Sequence, residues 1–414
     1  MKIQDKTSNN FVIRKEGLAE FYIFERDGDS IPSKSMNVFY NKKMEINRDI
    51  SSLAIKAYNK LYNQDLVIVD SMAASGISSI RLLLECENIK KLYINDINPV
   101  AVELIQKNLA LNQLNADGIR IEISRKDSNF LLSEIAQDNH LKSESEINKP
   151  NVISIDPFGT PNLYVNSAFN AIQRSKGLVC VTATDTAVLF GIRPKACIRK
   201  YMSKPLHNDY CKEIGARILI YFISRMVNVN KLGIIPLLTF YSNHFIRVFA
   251  LTIKDKKKIS DYFNSYGYIL HCKRCNYRRI LESNILTLND ECPNCKSNEH
   301  MDFAGPLWID ELHEENFVKQ VIKFNELANY SNKNKIIKIL NILLEEINMP
   351  ISYINIHKLC QELNLQAVPK MDELINLLQE QGFKASRTHF DYTSIKTNME
   401  LESIQELLLK TYKK

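Results

Sequence analysis

Between Leu66 and Ile253 short apolar runs alternate with segments whose apolar residues recur at helical spacing. The runs "LVIVD" (66–70), "KLYIND" (91–96), "IRIEIS" (119–124), "NVISID" (151–156) and "GLVCVTAT" (177–184) predict strands. "ISSIRLLLECEN" (77–88) and "PVAVELIQKNLALNQ" (99–113) predict helices, with another near 167–175 and a long amphipathic one from Cys211 to Met226. The polar stretch "LKSESEINKP" (141–150) reads as a surface loop. Strand alternating with helix implies a parallel, doubly wound sheet.

"IIPLLTFY" (234–241) and "FIRVFALTI" (245–253) are separated only by Ser242-Asn243-His244, which is hairpin length. A parallel sheet ending in an antiparallel hairpin resembles the class I S-adenosylmethionine-dependent methyltransferases, whose Rossmann-like sheet has seven strands. From about residue 254 the pattern changes. "GPLWIDEL" (305–312), the helical "KIIKILNILLEEI" (335–347) and "KMDELINLLQEQ" (370–381), and the β-like "FKASRTHFDYTSIKTN" (383–398) follow one another in a winged-helix-like order. The expected division is a catalytic domain over 1–262, beginning with an N-terminal flap, and a smaller α+β C-terminal domain over 263–414.

Four of the nine cysteines sharpen that second domain. Cys272 and Cys275 form one CxxC, Cys292 and Cys295 another, and the spacing lets four thiolates close a tetrahedron around one structural Zn²⁺, a zinc ribbon at about 270–298. Two redox pairs or two disulfides are the alternatives. Four cysteines leave no open position for a catalytic water. "CKRCNYRRI" (272–280) adds Lys273, Arg274, Arg278 and Arg279 with no acid, a cationic platform for phosphates or a plain solvated face. Cys86, Cys180, Cys197, Cys211 and Cys360 lie singly and read as reduced thiols of a cytoplasmic protein.

With 414 residues, 45% of them hydrophobic, the chain is long enough for more than one core. Its net charge of +7 suits a polyanionic partner but is equally common on solvated surfaces. "MKIQDKTSNNF" lacks the apolar core of a signal peptide, and no stretch approaches the roughly 18 apolar residues of a membrane span. No membrane and no protein partner is implied.

A cofactor in such a sheet lies at the carboxyl ends of the strands. There the first strand-to-helix turn is Asp70-Ser71-Met72-Ala73-Ala74-Ser75-Gly76, too poor in glycine for a dinucleotide fingerprint. Asp96 closes the second strand about twenty residues beyond Gly76, where a carboxylate reaches ribose hydroxyls; helix capping is the competing role, which Asn98 can fill as well. Asp127 and Ser128 follow the third strand, where an adenine edge would be read, or form a surface turn. S-adenosylmethionine needs no pyrophosphate site, so Asp70, Ala73, Gly76, Ser78, Asp96, Ile97, Asp127 and Ser128 are its expected contacts.

Asp156-Pro157-Phe158-Gly159 ends the fourth strand. It resembles the Asp-Pro-Pro-Tyr motif of methyltransferases that act on exocyclic amines of nucleobases. An aryl amine is a poor nucleophile because its lone pair is delocalised into the ring. Acceptors for its hydrogens, here Asp156 and the Pro157 carbonyl, favour a tetrahedral nitrogen aimed at the methyl group. Phe158 stacks on the base, which is flipped out to reach it. A tight turn leaving a strand is the plainer account.

"NVFYNKKMEINRDI" (37–50), the Asp156 turn, "TATDTAVLFG" (182–191), "ACIRKYMSKP" (196–205), "GPLW" and the late "SRTHF" and "IKTN" together resemble the tRNA guanine-26 N2-dimethyltransferases of archaeal type, over nearly the whole chain. The resemblance implies transfer of one or two methyl groups from S-adenosylmethionine to N2 of guanine 26 in tRNA, giving N2-methyl- and N2,N2-dimethylguanosine. It further implies that Arg48 contacts the cofactor, that Phe39 and Phe158 sandwich the base, and that Asp156 holds the amine. Without it, Phe39 and Tyr40 would read as rings packed in a core. Where the family commonly has arginine two residues after Gly76, this chain has Ser78 and next Arg81. The C-terminal domain, with Lys384, Arg387, His389 and Lys396, is expected to help hold tRNA. Methylation of another nucleobase amine, or RNA binding without catalysis, are the competing functions.

Overall fold

The computed structural model describes residues 11–25, 36–114, 119–141, 149–283, 286 and 291–412. An antiparallel hairpin, β1 (Phe11–Glu16) and β2 (Ala19–Phe24), comes first. The main sheet consists of β3 (Leu66–Asp70), β4 (Ile89–Asn95), β5 (Arg120–Ser124), β6 (Val152–Ile155), β7 (Leu178–Ala183), β8 (Gly233–Ser242) and β9 (Phe245–Ile253), in the order β5-β4-β3-β6-β7-β9-β8. Strands β3 to β7 run parallel and β8 pairs antiparallel with β9. β3 and β7 are buried throughout, which is why they read as unbroken apolar runs. Asn243, at φ +53, turns the hairpin, and Pro236 sits on the edge strand β8, where a missing N–H is tolerated.

The helices Ile77–Glu85, Pro99–Leu111, Val165–Ala171 and Cys211–Val229 fall where the periodicity puts them. Two others do not. Ser128–Leu141 is helical directly after β5, and residues 142–148 of the expected loop lie outside the described residues. Glu45–Tyr62 is helical within the segment expected only as a flap. Its buried face carries Asn47, Asp49 and Ser52 among the apolar residues, and that interrupts the helical pattern.

The chain divides into two compact units: Met1–Pro157 with Tyr164–Val181 and Gln320–Ile337, and Phe158–Leu163 with Thr182–Lys319 and Lys338–Lys414. In the second, β10 (Tyr266–Cys272), β11 (Arg278–Leu281) and β12 (Met301–Trp308) form the ribbon sheet in the order β11-β10-β12. β13 (Ile354–Asn355), the helices Ile356–Glu362 and Met371–Glu380, β14 (Ala385–Arg387) and β15 (Ser394–Thr397) make a winged-helix arrangement, with sheet order β13-β15-β14. The helix Leu401–Tyr412 closes its core through Ile404 and Leu408. Among the described residues no helix is long and apolar enough to cross a membrane.

Charge organises the first unit. The Arg81 guanidinium, 1% exposed, meets Asp49 at 2.6 Å and Glu85 at 2.9 Å, and Glu16 lies at 3.9 Å. Glu16 in turn accepts two bonds from Arg48, both 2.7 Å, and one from the Tyr40 hydroxyl. Burial alone would lower the Arg81 pKa, but Glu85 and Asp49 hold it above its ordinary value. Removing one partner of such a pair strands the others as buried charges. Arg81→Ala is therefore expected to lower unfolding free energy by about 3–5 kcal/mol in urea titrations. A change below about 1 kcal/mol would contradict the role assigned to this cluster.

Candidate active site and metal centre

The turn after β3 is fixed from several sides. Asp70 accepts from the Ser79 hydroxyl at 2.7 Å, and the Ser71 hydroxyl donates to the Ser154 carbonyl at 2.8 Å. Gly76 sits at φ +76, and a Cβ there would lie 3.0 Å from Ile105, so this one glycine is required by conformation and by space. The Asp96 carboxylate accepts from the backbone N–H groups of Ala74 (2.8 Å) and Asn98 (2.9 Å). The helix Pro99–Leu111 is capped by Asn98. Asp96 thus tethers the turn rather than capping the helix, and its oxygens retain further acceptor capacity.

Asp127 accepts from the N–H groups of Asn129 and Phe130 at the start of the next helix, while Ser128 Oγ is buried without a hydrogen-bond partner. Ile97 and Phe130, 65% and 58% exposed, present apolar surface at the ends of β4 and β5. Asn95, fully buried, was not singled out by sequence. It donates to the carbonyls of Ser71 and Lys126 and accepts from Ser124 Oγ and Lys126 N, stitching together the turns after β3 and β5. An amide in the apolar strand "KLYIND" was its only signal. Carboxylates, an orphaned hydroxyl and exposed apolar side chains at the strand ends fit a cofactor with a ribose and a purine ring.

Two arginines are separated by their surroundings. Arg81 is sealed in its ion cluster and is not available to a ligand. Arg48 spends Nε and Nη2 on Glu16 and the Asn41 carbonyl, leaving both N–H groups of Nη1. Ser78 is half-buried. Tyr40 is packed in the core, as a flap residue would be, and burial pushes its hydroxyl pKa up; Phe39 is only half-buried.

Asp156 is exposed at the end of β6, and Asn47 Nδ2 donates to its Oδ2 at 3.4 Å. Asn47 is buried and its Oδ1 has no hydrogen-bond partner. Within "EINRDI" nothing in the sequence marks Asn47 for a role. Pro157 is buried and the Phe158 ring is 51% exposed. A Cβ on Gly159 would meet nothing within 4 Å, so this glycine is required by its φ of +92 and not by space.

The segment after Phe158 is anchored by residues of "TATDTAVLFG" and "ACIRKYMSKP". Gly159 N–H donates to Thr184 Oγ1 at 2.7 Å, and Thr184 N–H returns a bond to the Gly159 carbonyl. Thr160 donates to the Tyr201 hydroxyl at 3.0 Å, and Tyr201 donates to Asp185 at 2.7 Å. Lys200 pairs with the other Asp185 oxygen at 3.0 Å. Burial and then Asp185 hold the Tyr201 pKa high, keeping its proton in place.

Cys272, Cys275, Cys292 and Cys295 converge. Their sulfurs lie within 4.8 Å of one another, with the pairs 272/295 and 275/292 at 3.7 Å, and all are free thiols. Disulfide sulfurs sit at about 2 Å, whereas Zn–S bonds of about 2.3 Å place tetrahedral sulfurs about 3.8 Å apart. Two matching turns present them. Cys272 and Cys292 each accept a backbone bond from a left-handed residue, Asn276 (φ +58) and Lys296 (φ +59). The set fits structural Zn²⁺.

The cations expected to face tRNA divide. Arg274 and Arg279 are exposed, but Arg278 donates to the Tyr353 carbonyl and Lys273 pairs with Asp302. Lys396 is buried against Glu213, and His389 against Glu346, which removes both from any RNA surface. His313 lies beside Glu346 too, with Nε2 at 3.5 Å from the carboxylate and Nδ1 accepting from Thr239 N–H, so the three side chains form one buried cluster.

A family model described as N2,N2-dimethylguanosine tRNA methyltransferase matches residues 20–409. A tRNA (guanine(26)-N(2))-dimethyltransferase of Methanosphaera stadtmanae is 33% identical over 397 residues, 96% of each chain. That of Methanothermobacter thermautotrophicus is 35% identical over 90% of this chain and 92% of its own. The solved structure of Trm1 from Pyrococcus horikoshii with S-adenosyl-L-methionine superposes with a TM-score of 0.79 at 28% identity, covering 97% of this chain and 99% of the other.

Elemental analysis of purified protein is expected to find about one zinc per chain, with Cys292→Ser losing it. A metal-free protein with four titratable ribbon thiols would refute the site.

Proposed function

The chain belongs to the N2,N2-dimethylguanosine tRNA methyltransferase family, and from that premise we propose how its residues carry out the reaction. The enzyme methylates the exocyclic N2 of guanine 26 in tRNA, once or twice, with S-adenosylmethionine as donor. Bound donor supplies an electrophilic methyl group. Its adenosine lies along Asp96, Ile97, Asp127 and Ser128, and its amino acid end along Asp70, Ala73, Gly76, Ser78 and the free Nη1 of Arg48.

Asp156 and the Pro157 carbonyl accept the N2 hydrogens and orient the nitrogen. Phe158 and Phe39 are the rings offered to the base, each stack worth about 1–3 kcal/mol. Each methyl added releases one proton from N2, and the exposed Asp156 carboxylate can take it and pass it to water. Asn47 positions Asp156 by donating to Oδ2, which reserves the remaining lone pairs for the amine. The observation that carries this reading is the exposed Asp156 at the strand end, oriented by a buried amide and followed by an open ring.

Division of labour follows the same lines: residues 1–262 do the chemistry, and 263–414 hold tRNA through the exposed cations of the zinc ribbon. Five singly placed free thiols suit the reducing cytoplasm.

Asp156→Ala is expected to cut single-turnover methylation about 100-fold or more while tRNA affinity stays within about twofold. Asn47→Ala should cost about tenfold in rate at saturating tRNA, with KM little changed. An active Asp156→Ala enzyme would remove the mechanism.

A further inference from the structure

The helix Pro194–Tyr201 turns an unusual face to solvent. Cys197 and Tyr201 are buried, and Lys195, Ile198, Arg199 and Met202 recur on the opposite side at i, i+3, i+4 and i+7. Ile198 and Met202 are 47% and 72% exposed. Leu163, exposed as well, follows Asn162, whose side chain donates to the Lys200 carbonyl at 2.9 Å. Ile192 is exposed just before the helix. From Gly191 to Lys204 the chain holds five cations, Arg193, Lys195, Arg199, Lys200 and Lys204, and no acid.

Solvated faces carry charge but seldom large apolar side chains in a contiguous set. Cations alternating with flexible apolar residues suit a nucleic acid whose stack has been opened, with Lys and Arg on phosphates and Ile, Leu or Met against unstacked bases. The Thr160 to Tyr201 and Asn162 to Lys200 bonds tie this face to the segment that begins with Phe158. A base drawn onto Phe158 leaves a gap in its own strand, and Leu163, Ile198 and Met202 are exposed apolar residues of the two segments those bonds join.

We propose that this helix face is the strand-opening surface of the enzyme: Ile198, Met202 and Leu163 pack against the bases left by the extruded guanine, and Lys195 and Arg199 hold the flanking phosphates. The inference rests on the proposed guanine-26 activity. It adds a second surface, apart from the ribbon, that acts on the rate of extrusion.

Two double variants of the full-length enzyme test it, on a guanine-26 transcript whose target is paired and on one where its pairing partner is deleted. Ile198→Ala/Met202→Ala should slow single-turnover methylation of the paired transcript about tenfold or more and of the unpaired one less than about threefold, with tRNA affinity within about twofold. Lys195→Ala/Arg199→Ala should weaken binding of both and flatten the slope of log affinity against log salt by about 1.5–2. Equal rates for wild type and apolar variant on the paired transcript, or a loss not rescued by unpairing, overturn the proposal. An unchanged salt slope overturns the phosphate assignment. Wild type inactive on both transcripts would overturn the guanine-26 reading itself, whereas active wild type with unaffected variants overturns this inference alone.

Discussion

The buried guanidinium of Arg81 is the constraint on which the cofactor edge depends. A fully desolvated cation is tolerable only when carboxylates surround it, and Asp49, Glu85 and Glu16 come from three different elements. Tyr330 and Ser52 complete the cluster with bonds to Glu85. Joining these elements sets the rotation of the helix Glu45–Tyr62, and on that helix Asn47 and Arg48 immediately precede Asp49. Satisfying one buried charge therefore aims one residue at the Asp156 carboxylate and leaves another with free N–H groups.

The target end of the site is built by a different means. The Phe158 ring is 51% exposed, so burial of that side chain does little to hold the backbone. Rigidity comes instead from hydrogen bonds further along the segment, through Gly159 with Thr184 and Thr160 with Tyr201, whose hydroxyl leans on Asp185. An exposed aromatic on a backbone anchored in this way loses little entropy on stacking.

Much of this was legible in the chain, and what was not has a common physical cause. Inner strands of the parallel sheet such as β3 and β7 are buried on both faces and announce themselves as apolar runs; the cysteine spacing encodes its own geometry. The helix Glu45–Tyr62 was hidden because ion pairing let polar residues occupy its buried face. Asn95 and Asn47 were invisible because an amide's worth depends on partners distant in sequence, Lys126 and Asp156. Lys396 and His389 misled for the same reason: a cation in a string says nothing of whether a carboxylate such as Glu213 or Glu346 waits beneath the surface.

The central claim is that an exocyclic amine, held by Asp156 at one tRNA position, is the group methylated. Nucleoside mass spectrometry of tRNA treated in vitro, with guanine 26 compared with inosine 26, tests it most directly, since inosine differs only in lacking that amine. The account predicts N2-methyl- and N2,N2-dimethylguanosine mapped to position 26 and no methyl group on the inosine transcript. Methylation of the inosine transcript, or of guanine elsewhere with position 26 untouched, would contradict it.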